Sequence, residues 1–339
     1  MPVNFTGRGG KLYNYLSGQV TGEIPPEVLA PSLLSKSIAG WKMMTYVEEV
    51  AEETYRLATR IPGLPSMFTT YFIKDGSGVM IEPGPAAAIP RIQKAVEELG
   101  LGNLEYIIPT HLHLDHAGAL GKLVSLFPRA RVVVNRQGAR HAINPSRLIK
   151  STRMAFGEDF EAAYGAILPV PESQVRIVRD GEMLPAGSRQ LMIVHTPGHA
   201  PHQIAIFDTR TKGLFCGEAL GMVYSDGTLP LPAAAPPSFD IEVYLDDMER
   251  LRRLRPRLLF YSHGGVGNEP ERLIDTVIEN TKLIGDIILR DLKAGETEEA
   301  ITGHTGDYIR EHFGVTMDEY ELVTNVVGYI HYFRKRGLV

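Results

Sequence analysis

The period of apolar positions changes several times along the 339 residues, and each change marks a predicted element. Residues 1–45 carry several Gly and Pro and keep no single period, so they read as an irregular extension around short helices such as 27–36. From Val47 the texture turns β-rich: EEVAEETYRLAT is followed by TTYFIKDGSGVMIEPGP, where two apolar runs flank Asp75-Gly76 in the manner of a hairpin. A helical period over 87–99, an apolar strand at Tyr106–Ile108, a second helix to about Leu126 and the strand RVVVN from Arg131 give a β-α-β-α progression. One long helical passage is expected from Arg136 to about Ile167, and strands then recur at 174–178, 190–195, 203–208 and 213–216. A Pro-rich stretch, LPLPAAAPPSFD, precedes an amphipathic helix over 241–254, and the strand RLLFYS runs into His263. Beyond Pro270 the period is helical over 271–292, 297–313 and 317–335.

Two β-rich halves with helices outside them suit an α/β protein built as an αββα two-sheet sandwich with a helical C-terminal region. The expected division is an extension over 1–45, a sandwich domain over 46–268 and a helical region over 269–339 packed on that core.

Composition narrows the function. With 44% hydrophobic and 22% charged residues the chain buries a large core. Its 35 basic and 40 acidic residues are interspersed, so there is no broad cationic field to capture phosphates, and no nucleic acid partner is expected. Nor is a membrane, since no stretch approaches the roughly 18 apolar residues a span needs; the N-terminus lacks the apolar core of a signal peptide, which suggests a cytoplasmic protein acting on a small molecule. A homodimer through the extension or the C-terminal helices is compatible with the sequence and rests on no particular residue. Cys216 is the only cysteine, so a thiolate cluster is excluded and any metal must sit on His, Asp and Glu.

Such residues are concentrated at His111-Leu-His113-Leu-Asp115-His116, directly after a predicted strand, where a loop can aim several side chains at one point. Imidazole and carboxylate suit zinc, iron(II) or manganese, whereas calcium takes oxygen almost throughout. A single tetrahedral site cannot use all four side chains and keep a position open for water, whereas two sites about 3.5 Å apart can share them with further ligands. Those further candidates are His199 in His195-Thr-Pro-Gly-His199, Glu218 in Gly217-Glu218 and His263 before Gly264-Gly265, each at a strand end followed by small or turn residues.

With Glu82-Pro-Gly84, these segments together resemble the metallo-β-lactamase fold hydrolases over about 47–267. The HTPGHAPH wording, Pro169-Val-Pro171 and the helical C-terminus are similar to the hydroxyacylglutathione-hydrolase-like (glyoxalase II-like) members. The resemblance implies one metal on His111, His113 and His199, a second on Asp115, His116 and His263, and Glu218 as the carboxylate bridging them. Such hydrolases usually carry Asp at the positions of Glu218 and Glu82, so this chain departs twice by one methylene. Glu82 reads as a supporting residue whose carboxylate accepts backbone N–H bonds and steadies the loop.

Two divalent transition ions, zinc first and iron or manganese as alternatives, would acidify a water towards neutral pH, and the resulting metal-bound hydroxide would cleave a thioester, ester or lactone. Asp115 is then the catalytic residue, orienting the water and relaying its proton. Two other functions use the same fold: a diiron or mononuclear-iron redox enzyme, and a non-catalytic binding protein.

His195 and His202 read as structural histidines, and Cys216 as core. Phe68, Met154, Phe156, Tyr164, Met222 and Tyr224 line a pocket or pack the core. The basic runs RRLRPR at 252–257 and RKRG near the C-terminus are helix-face charges, either of which could contact an anionic substrate tail.

Overall fold

Alternation along the strands decides the architecture. In the computed structural model, which describes residues 47–64, 66–156, 160–224 and 229–339 and not the side chains of 154–156, the β-rich first half folds into a seven-stranded sheet. Its strands lie in chain order: β1 (Val47–Ala51), β2 (Thr54–Arg60), β3 (Met67–Ile73), β4 (Val79–Ile81), β5 (Tyr106–Ile108), β6 (Arg131–Val134) and β7 (Val175–Ile177). Neighbours are antiparallel as far as β4 and parallel from β4 to β7. The β3–β4 turn is the hairpin expected at Asp75-Gly76. The extension over 1–45, its helix at 27–36, and the side chains of Met154 and Phe156 lie outside the described residues.

A second sheet of six strands is ordered β15 (Val266–Gly267), β14 (Leu258–Tyr261), β11 (Gly213–Gly217), β10 (Ile204–Asp208), β9 (Arg189–His195) and β8 (Met183–Ala186). A two-stranded ribbon, β12 (Met222–Val223) with β13 (Pro230–Leu231), stands beside it.

Successive strand residues point to opposite faces, and here both faces are covered. Tyr71, Ile73, Val79, Ile81, Ile108 and Val133 of the first sheet meet Ile193, Ile204, Ile206, Phe215 and Phe260 of the second in one inner layer. The alternate residues Phe72, Met80, Ile107, Val132 and Val134 turn outward beneath α1 (Ile89–Leu99) and its neighbours. Ala205, Phe207, Leu214, Cys216, Leu259 and Tyr261 turn outward on the other side, beneath α7 (Ile241–Arg252), α8 (Pro270–Lys293), α9 (Glu298–Phe313) and α10 (Glu319–Lys335). That makes four layers, αββα, and explains why the central strands are continuously apolar rather than alternating.

Between α1 and α7 the helices are α2 (Leu114–Ala117), α3 (Leu120–Leu126), α4 (Arg136–Ile143), α5 (Ser146–Phe156) and α6 (Phe160–Tyr164). The single helical passage expected over 136–167 is therefore interrupted, its described helical residues being Arg136–Ile143, Ser146–Phe156 and Phe160–Tyr164. Asn144-Pro145 breaks the first from the second, because a residue before proline is pushed to extended backbone, and Asn144 has φ −130° and ψ 91°. The short strand β8 was not anticipated; its Met183 and Pro185 are exposed and only Leu184 and Ala186 are buried, too few to set a period. Among the described residues no helix is long and apolar enough to cross a membrane.

Candidate metal centre

Every candidate side chain follows a strand end. Glu82 ends β4, the His111–His116 run follows β5 and opens α2, His199 follows β9, Glu218 follows β11 and His263 follows β14. Parallel pairing of β4 with β5 and of β11 with β14 brings these ends to the same edge in each sheet.

The local sequence allows the close approach. Gly217 adopts φ +56°, and a Cβ there would lie 2.6 Å from the Thr110 hydroxyl. Gly198 sits against the backbone of Tyr244, where a Cβ would come within 2.3 Å. Its N–H donates to the buried Asp247 carboxylate at 2.8 Å, which fixes the turn that projects His199.

Two donor groups result, each with one atom per residue and all those atoms within 4.8 Å of one another: His111, His113, His199 and Glu218, and Asp115, His116, His263 and Glu218. Glu218 belongs to both through different oxygens. Its Oε2 lies 2.7 Å from His199 Nε2 and 3.6 Å from His111 Nε2. Its Oε1 lies 3.4 Å from His263 Nε2 and 3.7 Å from His116 Nε2. His113 turns Nδ1 inward, 2.9 Å from His111 Nε2 and 3.4 Å from His199 Nε2. Asp115 Oδ2 lies 3.2 Å from His116 Nε2 and 3.5 Å from His263 Nε2. The departure at Glu218 leaves the carboxylate between the two groups, so the extra methylene does not carry it away from either.

The opposite ring nitrogens are held from behind. Thr110 Oγ1 is 3.1 Å from His111 Nδ1. His199 Nδ1–H donates to the Ala233 carbonyl at 2.8 Å, and His263 Nδ1–H to the Met67 carbonyl at 3.2 Å. His116 Nδ1–H donates to Glu82 Oε2 at 2.7 Å, and the Ser262 hydroxyl donates to Glu82 Oε1 at 3.0 Å. Glu82 thus accepts side-chain donors rather than the backbone N–H bonds expected of it, and its place is behind His116.

This donor set fits a cation. Imidazole nitrogens oriented by such bonds turn their lone pairs to the centre, and lone pairs facing one another across about 3 Å repel unless positive charge lies among them. The electrostatics agree. Burial first, then the neighbouring imidazoles, holds His111 well below the usual histidine range, and burial with His199 brings His113 down to about 4. Burial also opposes charge on His116, yet Asp115 and Glu82 outweigh it and hold that imidazole well above its usual range. His263, where burial is outweighed by Asp115 and Glu218, is pushed up to about 9. Asp115 and Glu218 lie well below the carboxylate range despite burial, because imidazoles surround them. A buried pocket that draws charge onto imidazoles between carboxylates favours positive charge.

Residues with no sequence motif also reach the centre. Glu321 of α10 is buried, contacts the Ser66 hydroxyl and feels the charges of His263 and Glu218; burial pushes its carboxyl up to about 7. Phe68 packs edge-on against His263 at 5.4 Å, and the buried Tyr164 and the half-buried Tyr224 and Tyr320 stand close enough to Asp115, Glu218 or Glu321 for those charges to act on them. His202, expected to be structural, accepts the Leu112 N–H at 3.2 Å and stands 5.8 Å from His113, ring to ring. The His195 backbone N–H donates to Asp180, away from the donors, and Cys216 is buried with its thiol on the Phe260 carbonyl. No local pattern marks Glu321, since α8 and α9 separate it in sequence from the loop it faces.

Comparison with known proteins places this architecture. The sequence model described as the Metallo-beta-lactamase superfamily matches residues 66–263. Curated relatives include the metallo-beta-lactamase fold-containing protein ST1585 of Sulfurisphaera tokodaii, 27% identical over 49% of this chain and 62% of its own length. An uncharacterized protein, YobT, of Bacillus subtilis is 25% identical over 67% of this chain and 97% of its own. The anaerobic nitric oxide reductase flavorubredoxin of Salmonella arizonae is 28% identical over 48% of this chain but only 30% of its own length. The chain thus matches less than two thirds of the archaeal relative's length and under a third of the flavorubredoxin's. Among solved structures, the TTHA1429 protein of Thermus thermophilus superposes with a TM-score of 0.64 at 20% identity, over 84% of this chain and 94% of that one. ST1585 superposes with a TM-score of 0.60 at 22% identity, over 82% and 98%. At such identities the likeness speaks for the fold.

Proposed function

The chain belongs to the metallo-beta-lactamase superfamily, and on that premise we propose that it is a metal-dependent hydrolase that cleaves a thioester, ester or lactone of a small molecule. The observation that carries this reading is the divided carboxylate of Glu218, with Oε2 on His199 and His111 and Oε1 on His263 and His116. We assign His111, His113 and His199 to one cation, Asp115, His116 and His263 to a second, and Glu218 to both. The all-nitrogen-and-oxygen donor set suits zinc, and iron(II) or manganese as well. Divalent cations bound there supply Lewis acidity, which polarises an acyl carbonyl and lets a water attack near neutral pH.

The chain's own groups do the remaining work. Thr110, Ala233, Met67 and Glu82 set which ring nitrogen faces the centre, so the donors are ordered before any ligand arrives. Asp115 is the most accessible carboxylate of the two groups, its side chain 26% exposed against 7% for Glu218. It therefore faces incoming substrate, and Oδ1, the oxygen not turned to His116 and His263, accepts the attacking water's proton and returns it to the departing thiolate or alkoxide. Phe68 and Tyr164, both buried, limit competing water.

A hydroxyacyl-glutathione thioester belongs in the first substrate panel, because the HTPGH segment and the helical C-terminus resemble that subfamily. A second reading is iron-based redox chemistry, favoured by the flavorubredoxin relative and by a donor set that iron also accepts. The test is hydrolysis of thioester, ester and lactone panels by zinc-, manganese- and iron-loaded protein, with elemental analysis and an oxygen electrode run in parallel. Turnover on one acyl class, lost in His113→Ala, is expected. Unchanged turnover in that variant would sink the mechanism, and oxygen or nitric oxide consumption by the iron form without hydrolysis would replace it with the redox reading. Failure of the protein to take up any metal would favour a binding role.

A further inference from the structure

Beside the metal donors, α4, the start of α5 and the loop after His199 enclose a half-open cavity of about 620 Å³. That volume is in the range of small-molecule sites. Arg140, Arg147, His141, Gln137 and Asn144 contribute to its wall, and no Asp or Glu does. Neither guanidinium has an ion-pair partner among the described residues. Both act on His141, whose imidazole is held below its usual range by burial, then by Arg147 and Arg140. Two cations brought close with no counter-charge repel each other, and a planar fork of N–H donors is the group that best takes an oxyanion.

The cavity is joined to the centre by histidines. The His141 ring stands 5.8 Å from that of His202, which also lines the cavity, and the His202 ring stands 5.8 Å from that of His113. One short molecule can therefore place an acyl group at the donors and its far end between the arginines. Three arginines of the basic runs singled out in the sequence are neutralised instead. Arg252 is paired with Asp275 at 2.7 Å, Arg334 with Glu298 at 2.5 Å, and Arg336 with Asp240 and Glu242.

We infer that the Arg140–Arg147 cavity is an oxyanion subsite, and that the substrate is a small acyl compound whose non-reacting end carries a carboxylate or phosphate. The subsite stands on its own geometry; its role in turnover rests on the hydrolase reading.

Two measurements separate these. Calorimetry with succinate and with methyl phosphate as probes is run on metal-loaded wild type, on Arg140→Gln/Arg147→Gln, and on His113→Ala. Both arginines are exposed, so their replacement spares the core. Binding of at least one probe, weakened about tenfold or more in the double variant but less than about threefold in His113→Ala, is expected for charge-assisted hydrogen bonds at the cavity. The stronger of the two probes tells a carboxylate end from a phosphate end. Equal binding by wild type and the double variant, or loss confined to His113→Ala, overturns the subsite, since the anion would then sit elsewhere or on the metal donors. In the kinetic arm, the ratio of kcat/KM for 4-nitrophenyl hemisuccinate to that for 4-nitrophenyl acetate should fall about tenfold in the double variant. An unchanged ratio refutes its role in substrate choice. If neither these esters nor the thioester and lactone panels are cleaved by any form, the hydrolase reading fails while calorimetry still decides the subsite.

Discussion

Around Glu218 Oε2 the donors are three imidazoles, whereas around Oε1 they are two imidazoles and Asp115. The backing differs in the same sense. His111 and His199 rest on a hydroxyl and a backbone carbonyl, both neutral, while His116 rests on the buried carboxylate of Glu82. Apart from the shared Glu218 carboxylate, negative charge is thus gathered on one side of the centre. The first group offers mainly nitrogen donors, the second a more anionic pocket, so a cation bound in each would be held by a different balance of bonding and charge. Glu218 is the one residue on which both depend.

The largest effect is expected from removing that shared group. Glu218→Ala should bring metal content below two per chain and cut turnover on the order of a thousandfold, read by elemental analysis and steady-state kinetics. Full metal content in this variant would show that the two groups hold their ions independently.

A smaller, one-sided effect should follow from Glu82→Gln, which keeps the shape and hydrogen-bonding reach towards His116 and Ser262 but removes the charge. Affinity for the second cation should fall about 10–100-fold with the first unchanged, seen as one displaced step in a two-step metal titration. Equal weakening of both steps would break the contrast between neutral and anionic backing.

The smallest effect concerns the turn behind His199. Burial pushes Asp247 up to about 7, against the opposing pull of the Gly198 N–H and Arg250. The folded protein therefore holds a proton there that an unfolded chain, with a carboxyl near 3.9, gives up. This contribution to stability is complete below about pH 4 and is lost as pH rises through about 7. Asp247→Asn, whose amide oxygen still accepts the Gly198 N–H, should match wild type near pH 4 and exceed it by roughly 1–3 kcal/mol at pH 8 in urea unfolding. A constant difference between the two pH values would assign the burial penalty to another group.

Much of the centre was legible because its parts are local. His111, His113, Asp115 and His116 lie on one loop, and the other three donors each follow a strand and precede small residues. The helices after Pro270 were legible to within a residue or two, since α8, α9 and α10 carry long periodic faces. The break at Asn144-Pro145 was missed because apolar spacing continues across it, and β8 because it buries only two side chains. Glu82 was placed beside the centre, but its partners were misjudged: they are His116 and Ser262, the latter 180 positions away.

By itself, then, the sequence determined the donor types, the strand-loop settings that expose them and the exclusion of thiolate chemistry, all properties of residues near one another in the chain. Only the tertiary structure decided which oxygen of Glu218 faces which histidines, that Glu321 of α10 reaches the same pocket, and that Arg140 and Arg147 have no ion-pair partner among the described residues beside His202, while Arg252, Arg334 and Arg336 of the basic runs are paired. The physical reason is that charge pairing and desolvation depend on distance in space. Residues a hundred positions apart acquire those distances only when the two sheets close on their common core.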